Sequence, residues 1–290
     1  MKTLSKPGFG QDPVFTTCVQ GVADTGATTR LNAIRPQLLE QERTYDLLAS
    51  SGRLEQWPPH SRGDNHLLAL GAVSRGEFKG LYTDQMARAG KPARNYYDQL
   101  RVSAPGNLCP YCGIGVVETL DHFLPKGSYS TLSVLPLNLV PACRDCNTGK
   151  LGGAVTADNI TLHPYFLDAS VSRDEWLFAT IVNAQIIHVE FRAATPPAWT
   201  ASVSQRVVNH VSEFDLAKRY GIQAAGRLTY YADYINRLMT SGAGYAIAEL
   251  LRVNAASERT AYGVNSWQAA LAKAVSEDAW FSSQGYTQLL

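Results

Sequence analysis

Two pairs of cysteines with the same spacing, LCPYCG at residues 108–113 and ACRDCN at 142–147, constrain this chain more than any other feature. In a CxxC turn two thiolates converge on one point, and two such turns complete the tetrahedral four-sulfur shell that zinc prefers. Gly113, directly after the first pair, supports a tight knuckle, because glycine enters the left-handed backbone region at little steric cost. Cys109, Cys112, Cys143 and Cys146 are therefore expected to hold Zn2+. With all four positions filled by protein, the ion is expected to be structural. The alternative is two unrelated pairs, buried or redox-active. Two CxxC pairs in a reducing compartment suggest metal binding over disulfides. The fifth cysteine, Cys18, stands alone and is expected to be an ordinary, partly buried residue.

Thirty residues separate the two pairs, and they contain TLDHFLPK at 119–126. A lone Asp-His pair is usually structural or incidental, so Asp121-His122 takes its meaning from its surroundings. Val116 to Leu120 reads as a short strand that delivers Asp121-His122 at its end. A loop rich in Gly and Ser follows, then Asn138 to Pro141 as a second strand, then a helix from Arg144 with Asn147 in its first turns. Strand, loop, strand and helix, clamped by zinc, is a ββα arrangement.

The flanks read as helical. Pro36 to Ser50 carries Leu38, Leu39, Tyr45, Leu47 and Leu48 at helical spacing, with SSG as a stop. WPPHSRGDN at 57–65 is a loop. Glu77–Arg88 and Pro92–Arg101 read as short helices, the second with proline at a favourable first position. Trp176–Val182 and Gln185–Phe191 suit a hairpin, with Ile187, Val189 and Phe191 on one face and His188 and Glu190 on the other. From about Ala201 the pattern is helical again, over Leu216–Met239, Tyr245–Val253 and Trp267–Trp280. The expected organisation is a helical region at 1–100, the zinc-clamped centre at 101–170, and a β-hairpin with helices at 171–290. The fold class is α+β, mainly helical.

With 45% hydrophobic and 18% charged residues over 290 positions, the composition is that of a folded protein of one large or two modest domains. No stretch approaches the roughly 20 apolar residues of a membrane helix. The start, MKTLSKPGFGQDPVF, lacks the apolar run of a secretory signal. The reading is a cytoplasmic protein without a membrane partner. A net charge of +1 leaves nucleic-acid binding open and moves the question to local patches.

In order and spacing, C-P-x-C-G at 109–113, D-H-x-x-P-K at 121–126 and N-L-V-P-x-C-x-x-C-N-x-x-K at 138–150 resemble the HNH endonucleases, the ββα-metal nucleases, in their four-cysteine zinc variant. The match covers residues 109–150, roughly one seventh of the chain. It implies a treble-clef-like ββα core inside the helical flanks. It also implies that Asp121 binds a catalytic divalent ion, Mg2+ or Mn2+, and that His122 is the general base. Asn138 would orient the histidine's loop, and Asn147 would be the second ligand of that ion. The family name has histidine at this last position; asparagine keeps an oxygen ligand. The products would end in 5′-phosphate and 3′-hydroxyl.

Chemistry gives its own reasons for these residue types. Phosphodiester hydrolysis needs a water stripped of its proton and a charge to stabilise a crowded anionic phosphorane. A histidine with an ordinary pKa near 6.5 suits the first task. A hard cation on carboxylate and amide oxygens suits the second. The competing readings are a non-catalytic, zinc-stabilised module that binds nucleic acid or protein, and an RNA-directed nuclease of the same mechanism.

The grip on substrate is less legible. From Arg101 to Gly153 there are four Lys or Arg against three Asp or Glu, and a zinc tetrathiolate adds about −2. Lys126, Arg144 and Lys150 could each touch phosphate or be solvated. Upstream, Met86–Arg101 carries Arg88, Lys91, Arg94 and Arg101 against Asp98, with Tyr96 and Tyr97 interleaved. Such a stretch can neutralise phosphates and stack bases, although a solvated helix face with core tyrosines is the better reading. His163 is read as a packing histidine more than a third polar contributor. The flanks GEFKGLYTDQMARAGKPARNYYDQL and LHPYFLD are similar to those of standalone bacterial HNH proteins in defence modules. More loosely they resemble the nuclease subunit of Septu-type antiphage systems, which acts beside an ATPase. Those resemblances imply DNA as the favoured partner, with an ATPase or regulatory protein alongside.

Overall fold

Helix starts follow capping chemistry. In the computed structural model, which describes residues 2–60, 63–150, 152–242 and 247–290, the chain folds as two compact units, 2–166 and 167–290. It is a mainly helical α+β protein whose sheets, among the described residues, are three separate antiparallel pairs of strands.

The first unit opens with α1 (Gln11–Gln20), α2 (Thr25–Ala33) and α3 (Arg35–Ser50). Asp24 caps α2 by accepting from the amides of Gly26 and Ala27, and Pro36 lies in the first turn of α3. A small pair, β1 (Leu68–Leu70) and β2 (Val73–Ser74), leads into α4 (Arg75–Gly80). The helix expected from Glu77 begins earlier because Ser74 and Glu77 form a reciprocal capping box. It then widens into a π-helical turn at Leu81–Met86. Next comes α5 (Arg94–Arg101), and here proline is not the first helical residue. The amides of Arg94, Asn95 and Tyr96 bond to carbonyls three residues back, so Pro92 belongs to a tight turn ahead of the cap at Ala93. Pro58 to His60 is irregular as expected, while Ser61 and Arg62 of that loop lie outside the described residues.

The centre of this unit is β3 (Thr119–His122) paired with β4 (Leu139–Ala142), followed by α6 (Arg144–Gly149). The strand expected over 116–120 is divided: Val116 bridges back to Leu108 beside the first cysteine turn, and pairing with β4 starts only at Thr119. Asp121 and His122 are the last two residues of β3, opposite Val140 and Leu139, so the pair stands at the strand's end as expected but is paired within it. Asn138 closes a 3-10 turn ahead of β4. Val14, Phe15, Phe78, Leu81 and Met86 from the first hundred residues share one buried core with Leu120, Val134 and Leu139. Each such side chain contributes about 1.5–3 kcal/mol when fully buried, so the N-terminal helices and the cysteine centre are one folded body. Cys18 lies in that core with no exposure, and burial pushes its thiol up to about 12; it is more deeply buried than its sequence suggests.

The second unit contains α7 (Ala169–Arg173), the hairpin β5 (Leu177–Val182) and β6 (His188–Ala193), then α8 (Ala201–Glu213), α9 (Leu216–Thr240), α10 (Ile247–Tyr262), α11 (Trp267–Glu277) and α12 (Ala279–Ser283). Val189 and Phe191 are buried while His188 and Glu190 face outward, and Ile187 precedes the strand. Tyr245, expected to start a helix, lies outside the described residues; α10 runs well past Val253. The helix expected to Trp280 breaks at Asp278, whose side chain caps α12 through the Phe281 amide. Among the described residues no helix is long and apolar enough to cross a membrane.

Candidate metal centre and the Asp121–His122 site

The four sulfurs of Cys109, Cys112, Cys143 and Cys146 lie within 4.8 Å of one another, and all four residues are buried. A tetrahedron with Zn–S near 2.3 Å has sulfurs about 3.8 Å apart, and Cys112 and Cys143 stand at 3.8 Å. Gly113, with φ +67°, lets the first turn close. Its amide bonds to the Cys109 carbonyl at 2.7 Å, and the Gly115 amide points at Cys112 Sγ at 3.4 Å. Cys143 is the N-cap of α6 and Cys146 lies in its first turn. Hydrogen bonds among the four thiols push Cys112 and Cys143 below the ordinary thiol range and Cys109 and Cys146 above it. The tetrad fits structural zinc, with no coordination position left over.

Cys143, Cys146 and Asn147 follow helical spacing at the start of α6, and Lys150 is the first residue past its end, so the cysteine centre lies at one end of the helix and Lys150 at the other. Asp121 faces this side of the sheet and is buried, with 5% exposure. Its Oδ2 accepts from Tyr111 Oη at 2.8 Å and from Lys150 Nζ at 2.8 Å. Lys150 Nζ also donates to the carbonyls of His122 at 2.9 Å and Phe123 at 2.7 Å. This ammonium is held by three oxygens, one of them from the carboxylate expected to hold a metal. Asn147 Nδ2 donates to Thr119 Oγ1 at 3.1 Å. Thr119 and Asp121 share a face of β3, about 6.6 Å apart along the strand, so Asn147 stands next to the carboxylate and not on it.

His122, the last residue of β3, has partners of its own, while the charges of Lys126, Asp121 and Lys150 all act on its ring. Its Nε2 lies 2.9 Å from the carbonyl of Ser133. A carbonyl only accepts, so Nε2 carries the proton and Nδ1 is the free base nitrogen of the neutral ring. Burial, at 7% exposure, holds the imidazole down at about 4, the Ser133 bond opposing. The edge of Tyr82 packs at 4.4 Å, and Lys126 Nζ lies 4.7 Å over that tyrosine.

Asn138 is fully buried and fastens the loop after His122. Its Oδ1 accepts from the Leu124 amide at 2.8 Å and Tyr45 Oη at 3.0 Å, and its Nδ2 donates to the carbonyls of Leu124 at 3.1 Å and Leu132 at 3.4 Å. His163 is packed against Phe123 at 4.0 Å, with Nε2 3.2 Å from Tyr45 Oη and Nδ1 accepting the Tyr165 amide. Tyr45, Tyr111 and Ser133 escaped the sequence reading. Tyr111 left a trace, a polar-tipped aromatic inside the first CxxC turn; Tyr45, 93 residues from its partner, left none.

Several of the residues expected at phosphate are engaged within the protein. Arg144 is exposed and 3.5 Å from Glu118. Arg94 pairs with Asp98 at 3.1 Å, donates to the Ala87 carbonyl, and lies over the Tyr97 ring at 4.4 Å. Arg101 approaches the same Asp98 at 3.7 Å. Arg88 is exposed and Lys91 half-buried, while Tyr97 is a core residue and Tyr96 packs on Phe9. No family profile matches the chain. Over 232 residues, 79% of this chain and 78% of the relative, it is 31% identical to Protein ea31 of Escherichia phage lambda. No solved structure matches.

Proposed function

The chain belongs to the family of Protein ea31 of phage lambda, and for it we propose a metal-dependent HNH-type endonuclease that hydrolyses phosphodiester bonds, DNA being the favoured substrate. The observation that carries this reading is His122. It is a neutral imidazole with Nε2–H fixed on the Ser133 carbonyl, and one residue away a buried carboxylate already holds a cation. In this reading His122 Nδ1 takes the proton of the attacking water, and the Ser133 carbonyl keeps the ring in the tautomer that can do so. Asp121 and Asn147 would hold Mg2+ or Mn2+, which would supply positive charge for the developing anion. Asn138 keeps the 122–124 backbone in place, and the cysteine centre fixes the strands and helix relative to one another. A cytoplasmic antiphage role beside an ATPase or regulatory protein belongs to the same proposal and rests on the resemblance of the flanks alone.

A second reading, a zinc-stabilised binding module without catalysis, draws support from one observation: Lys150 and Thr119 engage Asp121 and Asn147. One experiment separates the two. Plasmid DNA, with RNA in parallel, is incubated with the zinc-loaded protein and Mg2+ or Mn2+. His122→Ala is expected to cut 10²–10⁴-fold more slowly at unchanged zinc content and melting behaviour. Cleavage by the variant at the parent's rate removes His122 as the base, and no cleavage of either polymer by the parent leaves the binding module.

A further inference from the structure

Lys150 is the feature whose surroundings ask for more than a surface role. Its side chain is only 9% exposed. All three ammonium hydrogens are used, on Asp121 Oδ2, the His122 carbonyl and the Phe123 carbonyl. The nitrogen also lies 5.0 Å over the Phe123 ring and 6.0 Å over the Tyr111 ring. This is a built cation site of three oxygens and two aromatic faces, and its occupant is tethered to the chain.

We propose that Lys150 is a displaceable resident cation: it holds the Asp121 carboxylate until a divalent ion competes for it, and so sets how tightly the site takes metal. The proposal rests on the reading of Asp121 as a metal ligand. Ammonium and metal compete for one carboxylate, whose Oδ2 the lysine already occupies. With the ammonium in place the pair is neutral and offers a divalent ion little attraction. With it gone, a carboxylate and two carbonyls remain as a hard-oxygen set of the kind Mg2+ and Mn2+ accept. The exchange is mechanically open. Lys150 is the first residue past α6, with extended backbone, and its charge rides on a flexible four-carbon stem. The lysine also explains how the metal-free fold tolerates Asp121, since a buried carboxylate without a partner is strongly destabilising. The phosphate contact expected of Lys150 then becomes available only after the divalent ion has entered.

The test uses the full zinc-loaded chain and Mn2+, with free Mn2+ followed by electron paramagnetic resonance. Lys150→Met is expected to bind Mn2+ at least tenfold more tightly than the parent, and Asp121→Asn to abolish the site. In the parent itself, acylation of Lys150 by an amine-reactive reagent, read by mass spectrometry, is expected to be slow without Mn2+ and several-fold faster at saturation. That second measurement decides the matter if the methionine variant does not fold. Asp121-dependent Mn2+ binding that is equally tight in both proteins, with Lys150 protected throughout, overturns the resident-cation proposal and leaves Asp121 as a ligand. Mn2+ binding that ignores Asp121 overturns both.

Discussion

Two cation-binding centres share one short strand–strand–helix, and they are built in opposite ways. The cysteine centre offers four soft ligands, all buried, and closes on itself. The Asp121 centre offers hard oxygens, and the cation on them is a lysine side chain. In the proposal above, the first is permanent and the second is exchanged. They are also ordered: Tyr111 sits between Cys109 and Cys112 in the first knuckle and donates to Asp121, and α6 begins at Cys143 and ends just before Lys150. Soft ligands thus hold the frame from which the hard ones project.

The largest expected effect breaks that order from above. Cys143→Ser should lose the zinc and destabilise the 2–166 unit by several kcal/mol, since structural zinc binding is folding free energy of order 10 kcal/mol in small domains. Elemental analysis and thermal unfolding measure it, and Asp121-dependent Mn2+ binding should vanish with the zinc. Asp121→Asn should leave the zinc in place. Zinc loss in that variant would mean that the two centres are mutually dependent and not stacked.

The next effect is Asn138→Ala, expected to cost about 3 kcal/mol in urea unfolding, because it strands buried partners at Leu124, Leu132 and Tyr45. Zinc content should be unchanged. A comparable effect follows from pH. His122 titrates at about 4 in the folded chain against 6.5 ordinarily, so between those values the unfolded chain binds more protons and stability falls as pH falls. The full span corresponds to at most about 3 kcal/mol, and burial of His163 pushes the same way. Melting curves at pH 7 and pH 4.5 measure the loss. In His122→Gln, compared in the same buffers so that zinc release is common to both, the dependence should be shallower.

What the sequence disclosed tracks the range of the interactions. The cysteine tetrad and the ordering strand, strand, helix were legible because each is a local pattern whose partners are fixed by spacing. The hairpin was legible because Val189 and Phe191 alternate with His188 and Glu190. Element ends were less so: the Ser74–Glu77 box, the turn at Lys91–Ala93 and the cap at Asp278 each moved a boundary by a few residues. The partners of the Asp121–His122 site were the least legible. Lys150 looks like a surface lysine until the end of α6 is laid beside β3. Arg94, the centre of an apparent basic patch, is spent on Asp98, the Ala87 carbonyl and the face of Tyr97, because a core tyrosine next to an i,i+4 acid gives it better company than solvent does.

The smallest effect expected, and the finest probe of the comparison, is Tyr45→Phe. The Tyr45 hydroxyl is fully buried, and burial keeps it protonated, so it donates to Asn138 Oδ1. His163 Nδ1 accepts the Tyr165 amide, which leaves Nε2–H to donate, shared between Tyr45 Oη and the Leu137 carbonyl. Removing the hydroxyl leaves the Nε2–H of His163 without this acceptor and Asn138 Oδ1 with only the Leu124 amide. The ring keeps its contacts with Trp57 and Phe166, so no cavity opens. The loss should be about 1 kcal/mol, a fall of a few degrees in Tm. Because the network ends on the loop behind His122 and not on the cysteines, zinc content should stay at the parent's level. In a double-mutant cycle Asn138→Ala and Tyr45→Phe should fall short of additivity, since both remove the same bond. Full additivity would detach α3 from the site and leave Tyr45 as a core residue.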